Sequence, residues 1–275
     1  MCLRSGSARP GSSSGGRRSP GRRCLSQLNP IPETVVLPFQ AVTFDLWNTL
    51  LTSIPGAVEI RARFWRQVVN ERGLDIDDNL IHRILSTLPV RFDEEWRAGR
   101  QYGPTRALEE CFAAFGDRID ADDRDALAEA FESASFALEV VSVPDAARVL
   151  STVVDAGIAV GIVSDTSLAI GRHLRKFLER HGILKYVTFA AFSDEVGVYK
   201  PDPVIFLAAM DGLGADDPAN VAHVGDLKRT DVAGARALGM TTVRFRGALD
   251  DLEEGLEADH VVDRLDQVPA VLGLV

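Results

Sequence analysis

The chain of 275 residues is short of cysteine, of long apolar runs and of basic charge, and each shortage removes a class of function. Cys2, Cys24 and Cys111 are odd in number and widely spaced. They form neither a disulfide framework nor a zinc-ligand pattern, which fits a reducing, cytoplasmic setting. No stretch approaches eighteen consecutive apolar residues, so no membrane-spanning helix is expected. No internal repeat is present. The formal net charge is −10. Residues 1–38 hold six arginines (Arg4, Arg9, Arg17, Arg18, Arg22 and Arg23) against the single acid Glu33, which leaves 24 basic and 39 acidic residues in the remainder. So acidic a body argues against nucleic acid as a partner, because phosphate contacts need a basic face. An anionic ligand would have to be met locally, by a metal ion or a single lysine.

What is there divides into three parts. Residues 1–38 are expected to be a disordered tail, since their first thirty are rich in Ser, Gly, Arg and Pro and offer too little apolar surface to offset ordering entropy. The pair Arg17-Arg18 is followed by no apolar stretch or small-residue cleavage site, so it is not read as a twin-arginine signal. Beyond Leu37, short β-prone apolar runs recur: Ala41–Phe44, Ile158–Val163, Val187–Phe192, Val221–Val224 and Thr241–Phe245, with His260–Val262 as a short last strand. Helical patterns such as Leu168–His181 and Asp231–Leu238 separate them. Strands apolar on both faces and alternating with helices predict an α/β fold, a Rossmann-like parallel sheet, built from residues 39–53 and 141–275. Residues 54–140 show no strand signal. Ile60, Phe64 and Val68, then Leu80, Ile84, Leu85 and Leu88, then Leu108, Cys111, Phe112 and Phe115, then Leu127, Phe131, Ala134 and Leu138 fall at helical spacing. They predict an inserted helical bundle, with Trp65 and Trp96 in its core.

In an open parallel sheet, ligands bind beyond the carboxyl ends of the strands, and the notable polar residues fall there. Asp45 closes the first strand, Ser164-Asp165 the second and Gly225-Asp226 the fourth. Lys200 follows the third, and Asp231 opens the helix after the fourth. One strand-end aspartate can be a helix cap; five polar positions at four strand ends exceed what capping needs. Phosphoryl transfer through an aspartyl intermediate uses such a set. A carboxylate splits one hard step into two easier ones, and Mg²⁺ takes hard oxygen ligands, which Asp45, Asp226 and Asp231 could supply or orient. Lys200 would neutralise charge, while the Ser164 hydroxyl and neighbouring amides at the following helix start would bind phosphate oxygens. Ser164 is open between phosphate contact and helix cap, Asp165 between support and cap, and Asp231 between ligand, support and cap.

Four segments carry a resemblance. Phe44-Asp45-Leu46-Trp47-Asn48-Thr49-Leu50, Val163-Ser164-Asp165, Ser193 to Pro203 with Lys200-Pro201 inside it, and His223-Val224-Gly225-Asp226 through Asp231 to Met240 resemble, in order, the four motifs of the haloacid dehalogenase-like superfamily. The resemblance covers residues 40–275. It implies a magnesium-dependent hydrolase with Asp45 as covalent nucleophile, a small phosphorylated molecule as substrate, and residues 54–140 as a helical cap over the site. It further implies that Asp45, the backbone carbonyl of Trp47, Asp226 and Asp231 hold the metal, and that Ser164, Asp165, Trp47 and Asn48 meet the substrate. One position departs from the pattern. Most phosphatases of the superfamily carry a second aspartate, the acid–base group, two residues after the nucleophile, and here Trp47 stands there. General acid–base catalysis contributes roughly 10²–10⁴-fold, so three readings compete: a phosphatase whose substrate has a good leaving group or whose acid comes from the cap, a 2-haloacid dehalogenase, or a non-catalytic binder of a phosphorylated ligand.

The remaining polar residues have plainer expectations. Thr49 holds the turn after the nucleophile. His223 is a packed core histidine, and His173 and His181 are exposed on a helix. Tyr199 lines the pocket or packs. Arg91, Arg97 and Arg100 are open between meeting an anionic group and forming a solvated helix face, the plainer expectation.

Overall fold

A computed structural model describes residues 39–275; the expected tail of residues 1–38 lies outside the described residues. In chain order, β1 (Ala41–Phe44) and β2 (Leu51–Ser53) precede five helices: α1 (Ala57–Arg72), α2 (Asp78–Leu85), α3 (Leu88–Arg97), α4 (Pro104–Phe115) and α5 (Ala121–Phe136). Then come β3 (Val140–Ser142), α6 (Ala146–Asp155), β4 (Ala159–Ser164), α7 (Gly171–Arg180), β5 (Phe189–Phe192), the single turn α8 (Ser193–Val196) and α9 (Pro203–Leu213). The chain closes with β6 (Val221–Gly225), a π-helical turn over Lys228–Val232, α10 (Ala233–Ala237), β7 (Thr241–Phe245), β8 (His260–Val262) and α11 (Val268–Val271).

Six strands form one parallel sheet in the order β5-β4-β1-β6-β7-β8, the α/β Rossmann-like arrangement expected. β1 is central: Ala41 to Phe44 run in register with Ala159 to Ile162 on one side and Val221 to Val224 on the other. Every residue of β1 and β6 is buried, as strands covered by helices on both faces require. One face packs Phe44, Val160, Val224 and Phe177 with α6 and α7; the other packs Ile205, Phe206 and Met210 of α9. Because β1 is flanked on both sides, its carboxyl end, Asp45, lies at the middle of the sheet edge.

The five inserted helices bury a separate apolar cluster around Trp65, which is fully buried and donates its indole N–H to the Leu127 carbonyl at 2.9 Å. Their ends are set by local chemistry. Asp77 accepts from Leu80 N and caps α2; Asp120 and Asp123 exchange backbone bonds at the start of α5; Gly73 ends α1 in the left-handed conformation.

Several expectations are corrected. The segment between β1 and β4 is not free of strands: β2 and β3 pair antiparallel at the base of the helical unit, Leu51 opposite Ser142. Three residues per strand are too few to show a period in sequence. The third run is strand only from Phe189, because a 3₁₀ turn over Leu184–Tyr186 occupies its approach. In α1 the buried stripe is Arg61, Ala62, Trp65 and Val69, one residue out of step with Ile60, Phe64 and Val68. His173 is fully buried rather than exposed, its ring 4.4 Å from that of Phe136, because the first turn of α7 packs under α5; His181 is half-buried. Arg91, Arg97 and Arg100 are not merely solvated. They pair with Glu110, with Asp93 and Glu253, and with the buried Glu95 respectively.

Candidate active site

The sheet's carboxyl edge brings Asp45, Asp226 and Asp231 together, with carboxylate oxygens within 4.8 Å of one another. All three are buried. Asp45 extends β1 through its N–H to the Val224 carbonyl at 2.8 Å. The π-helical turn folds Asp231 back against β6, so closely that a Cβ on Gly225 would sit 2.3 Å from its carboxyl carbon. Only glycine fits there. Lys200, also buried, places its ammonium 2.6 Å from Asp45 Oδ1 and 2.6 Å from Asp231 Oδ1.

The oxygens of Asp231 are otherwise committed. Oδ1 also meets His223 Nε2 at 3.0 Å, while Oδ2 accepts from Leu227 N at 3.0 Å and from the Thr230 hydroxyl at 3.3 Å. Behind it, His223 Nδ1 lies 2.9 Å from the Thr43 hydroxyl. His223 is therefore packed in the core as expected and also part of the acidic network. Among the described residues, Asp226 accepts only from the Asn48 amide, at 3.3 Å. Asn48 holds a positive φ of 56°, a conformation asparagine tolerates better than most residues. The Trp47 carbonyl accepts none of the turn's backbone bonds among the described residues, whose donors go to Leu46 and Leu51.

Electrostatics follow from three buried carboxylates sharing one lysine. Burial pushes Asp45 up to about 7 despite Lys200, and burial with Asp45 and Asp231 beside it raises Asp226 well above its ordinary value. Burial would raise Asp231 too, but Lys200 and His223 outweigh it and hold it below its ordinary value. Burial would lower Lys200, yet Asp231 and Asp45 outweigh it and raise it. Such an excess of buried negative charge fits a divalent cation. Among the described residues, Asp45 and Asp226 each keep an oxygen free of any hydrogen bond, and the set is all oxygen, the chemistry Mg²⁺ takes.

Asp165 binds in two directions, accepting Lys200 N at 2.9 Å and the Trp96 indole N–H at 2.7 Å. Trp96 is thus not packed in the core of the helical unit. It reaches across the cleft, with the Arg229 guanidinium 4.1 Å over its ring. Ser164 is fully buried at the end of β4 with its hydroxyl on the Asp165 carbonyl, 3.2 Å away, and does not line the cavity. Thr49 is buried with its hydroxyl unpartnered among the described residues. Tyr199 packs: its hydroxyl accepts the Tyr102 N–H at 3.1 Å and joins the two halves of the molecule. Over the three aspartates lies a cavity of about 210 Å³, walled by Trp47, Asn48 and Asp165 from below and by Phe92, Asp93 and Trp96 of α3 from above. Phe92 and Trp96 carry no chemical motif in sequence, and only docking of α3 brings them here; Ser167 reaches the cavity from the loop that follows β4, two residues beyond Asp165.

Residues 39–239 match the family described as haloacid dehalogenase-like hydrolase. The chain is 30% identical over 251 residues to the ribulose-1,5-bisphosphate 5-phosphatase of Halopiger xanaduensis, covering 83% of this chain and 97% of that protein. It is 26% identical over 246 residues to (S)-2-haloacid dehalogenase 1 of a Pseudomonas species, covering 86% and 97%. The crystal structure of a HAD phosphatase from Thermococcus onnurineus superposes with a TM-score of 0.59 at 26% identity, covering 85% of this chain and 98% of that one. With the four motifs gathered at one sheet edge, the chain belongs to the haloacid dehalogenase-like hydrolases.

Proposed function

We propose that this hydrolase is a magnesium-dependent phosphatase of a small phosphorylated metabolite, working through an aspartyl-phosphate on Asp45. The observation that carries the reading is the charge of the site: Asp45, Asp226 and Asp231 are buried around one lysine. A dehalogenating site has no use for so much buried negative charge, since halide leaves as an anion. Asp45, Asp226 and the Trp47 carbonyl would hold the cation, with Asp231 orienting Lys200 and the loop. The cation, when bound, would offset charge on the phosphoryl oxygens. Halopiger xanaduensis supplies a relative named as a sugar-bisphosphate phosphatase, in keeping with this substrate class.

The chain's own groups supply the rest. Lys200 holds Asp45 Oδ1, leaving the other oxygen to bond phosphorus as the ester P–O bond breaks. Water then attacks phosphorus, releases inorganic phosphate and restores the carboxylate, so one water is consumed per ester. The leaving oxygen finds no titrating group at Trp47. It departs as a stabilised anion, from an acyl or aryl phosphate; Asp93, which α3 brings to the cavity, is held by Arg97 through both carboxylate oxygens. Docking of the cap limits bulk water around the site while admitting the one water that the second step consumes.

The dehalogenase reading draws on Trp47 and on the Pseudomonas relative. Release of phosphate from p-nitrophenyl phosphate, set beside release of chloride from 2-chloropropionate, separates the two. Phosphate alone is expected; chloride alone would overturn the proposal.

A further inference from the structure

Arg61 is out of place where it stands. It lies on the buried stripe of α1, only 5% exposed, one turn before Trp65. Its Nε–H has no acceptor among the described residues, and its Nη2 reaches only the Ser135 hydroxyl, at a long 3.5 Å. The Phe131 ring, 4.8 Å from the guanidinium carbon, offers a π face but no lone pair. Among the described residues no carboxylate acts on it, and burial alone pushes the guanidinium down to about 10. Every other buried cation in the described residues is paired: Lys200 with two aspartates, Arg244 with Asp250 and Glu257. An unpaired buried charge is costly and rare, and the fork it leaves open fits a planar or tetrahedral oxyanion.

Arg61 lines a cavity of about 310 Å³ whose other walls are largely apolar, including Ala57, Pro89, Leu138 and Leu168. Trp47, Phe92 and Ser167 line both this cavity and the one above Asp45, so the two adjoin. One molecule can occupy both.

We propose that Arg61 forms a second oxyanion subsite, so that the substrate is a phosphate ester bearing a carboxylate or a second phosphate at its far end. The inference rests on the phosphatase reading for the first anchor: phosphoryl group at Asp45, apolar walls around a short carbon chain, second anion on the guanidinium. A bidentate, charge-assisted pair in such surroundings corresponds to roughly 10- to 100-fold in affinity.

The test is binding to Asp45→Asn protein in Mg²⁺, by calorimetry, of three probes: 3-phosphoglycerate, 1,3-propanediol bisphosphate and glycerol 3-phosphate. At least one of the doubly anionic probes should bind roughly 10- to 100-fold tighter than glycerol 3-phosphate, and which one does so identifies the far group. Arg61→Gln should erase that preference and leave glycerol 3-phosphate within about threefold; Arg61→Lys, which keeps the charge and loses the fork, should retain part of it. Equal binding of all three probes, equal loss of all three in Arg61→Gln and Arg61→Lys, or no binding of any would overturn the subsite. Turnover by protein with Asp45 intact is a separate result: no phosphate release from the activated esters acetyl phosphate and p-nitrophenyl phosphate would sink the phosphatase reading, whatever the binding shows.

Discussion

The two walls of the cleft manage charge in opposite ways. On the sheet side, Asp45, Asp226, Asp231 and Lys200 are buried together, and Asp231 is fixed by four hydrogen bonds from Lys200, His223, Leu227 and Thr230. On the helical side, Arg61 is buried almost alone among apolar residues, and α3 contributes mainly the rings of Phe92 and Trp96. The first wall, which the proposed mechanism makes the reaction centre, has its partners in place. The second has a charge without a partner, which suits recognition. Reaction centres need groups pre-positioned within a rigid frame, whereas a specificity subsite gains by leaving its charge to be met by the correct ligand.

Two substitutions sharpen this contrast. Lys200→Met removes the one cation shared by the buried aspartates and should cost about 3–5 kcal/mol of stability, read by urea unfolding without metal, with much of the loss recovered on adding Mg²⁺. An unfolding midpoint unchanged from wild type would show that Lys200 is not what holds the carboxylates together. A smaller effect is expected at Trp47, which lines both cavities. Trp47→Asp restores an acid–base group beside Asp45 and should raise kcat on glycerol 3-phosphate relative to p-nitrophenyl phosphate by roughly 10- to 100-fold. No change in that ratio would mean that the missing carboxylate does not limit this enzyme.

Much of the sheet side was legible from sequence, and the reason is physical. Strands buried on both faces read as unbroken apolar runs, and polar residues follow their carboxyl ends, so Asp45, Lys200, Asp226 and Asp231 could be placed together from the sequence. The helical side was not legible in the same way. A helix period gives a stripe but not its phase: Ile60, Phe64 and Val68 fit the spacing, while packing chose the neighbouring stripe with Trp65 and put Arg61 inside. Trp96 looked like core because a tryptophan in a helix usually is; its indole instead bonds Asp165 across 69 residues of sequence. His223 shows a third case, in which core packing and contact with the site are the same position. The short β2–β3 pair was invisible because its strands are held by the two ends of an insertion, not by local propensity.

The claim on which the account turns is that the buried aspartates exist to hold a divalent cation for phosphoryl transfer. The most direct measurement is release of phosphate from p-nitrophenyl phosphate by purified protein in Mg²⁺ and in excess chelator, with Asp45→Asn beside wild type. The account predicts turnover that chelator abolishes and Mg²⁺ restores, and a fall of about 10⁴-fold or more in Asp45→Asn with the melting temperature retained. Phosphate release that persists in chelator, or that survives in Asp45→Asn, would contradict it.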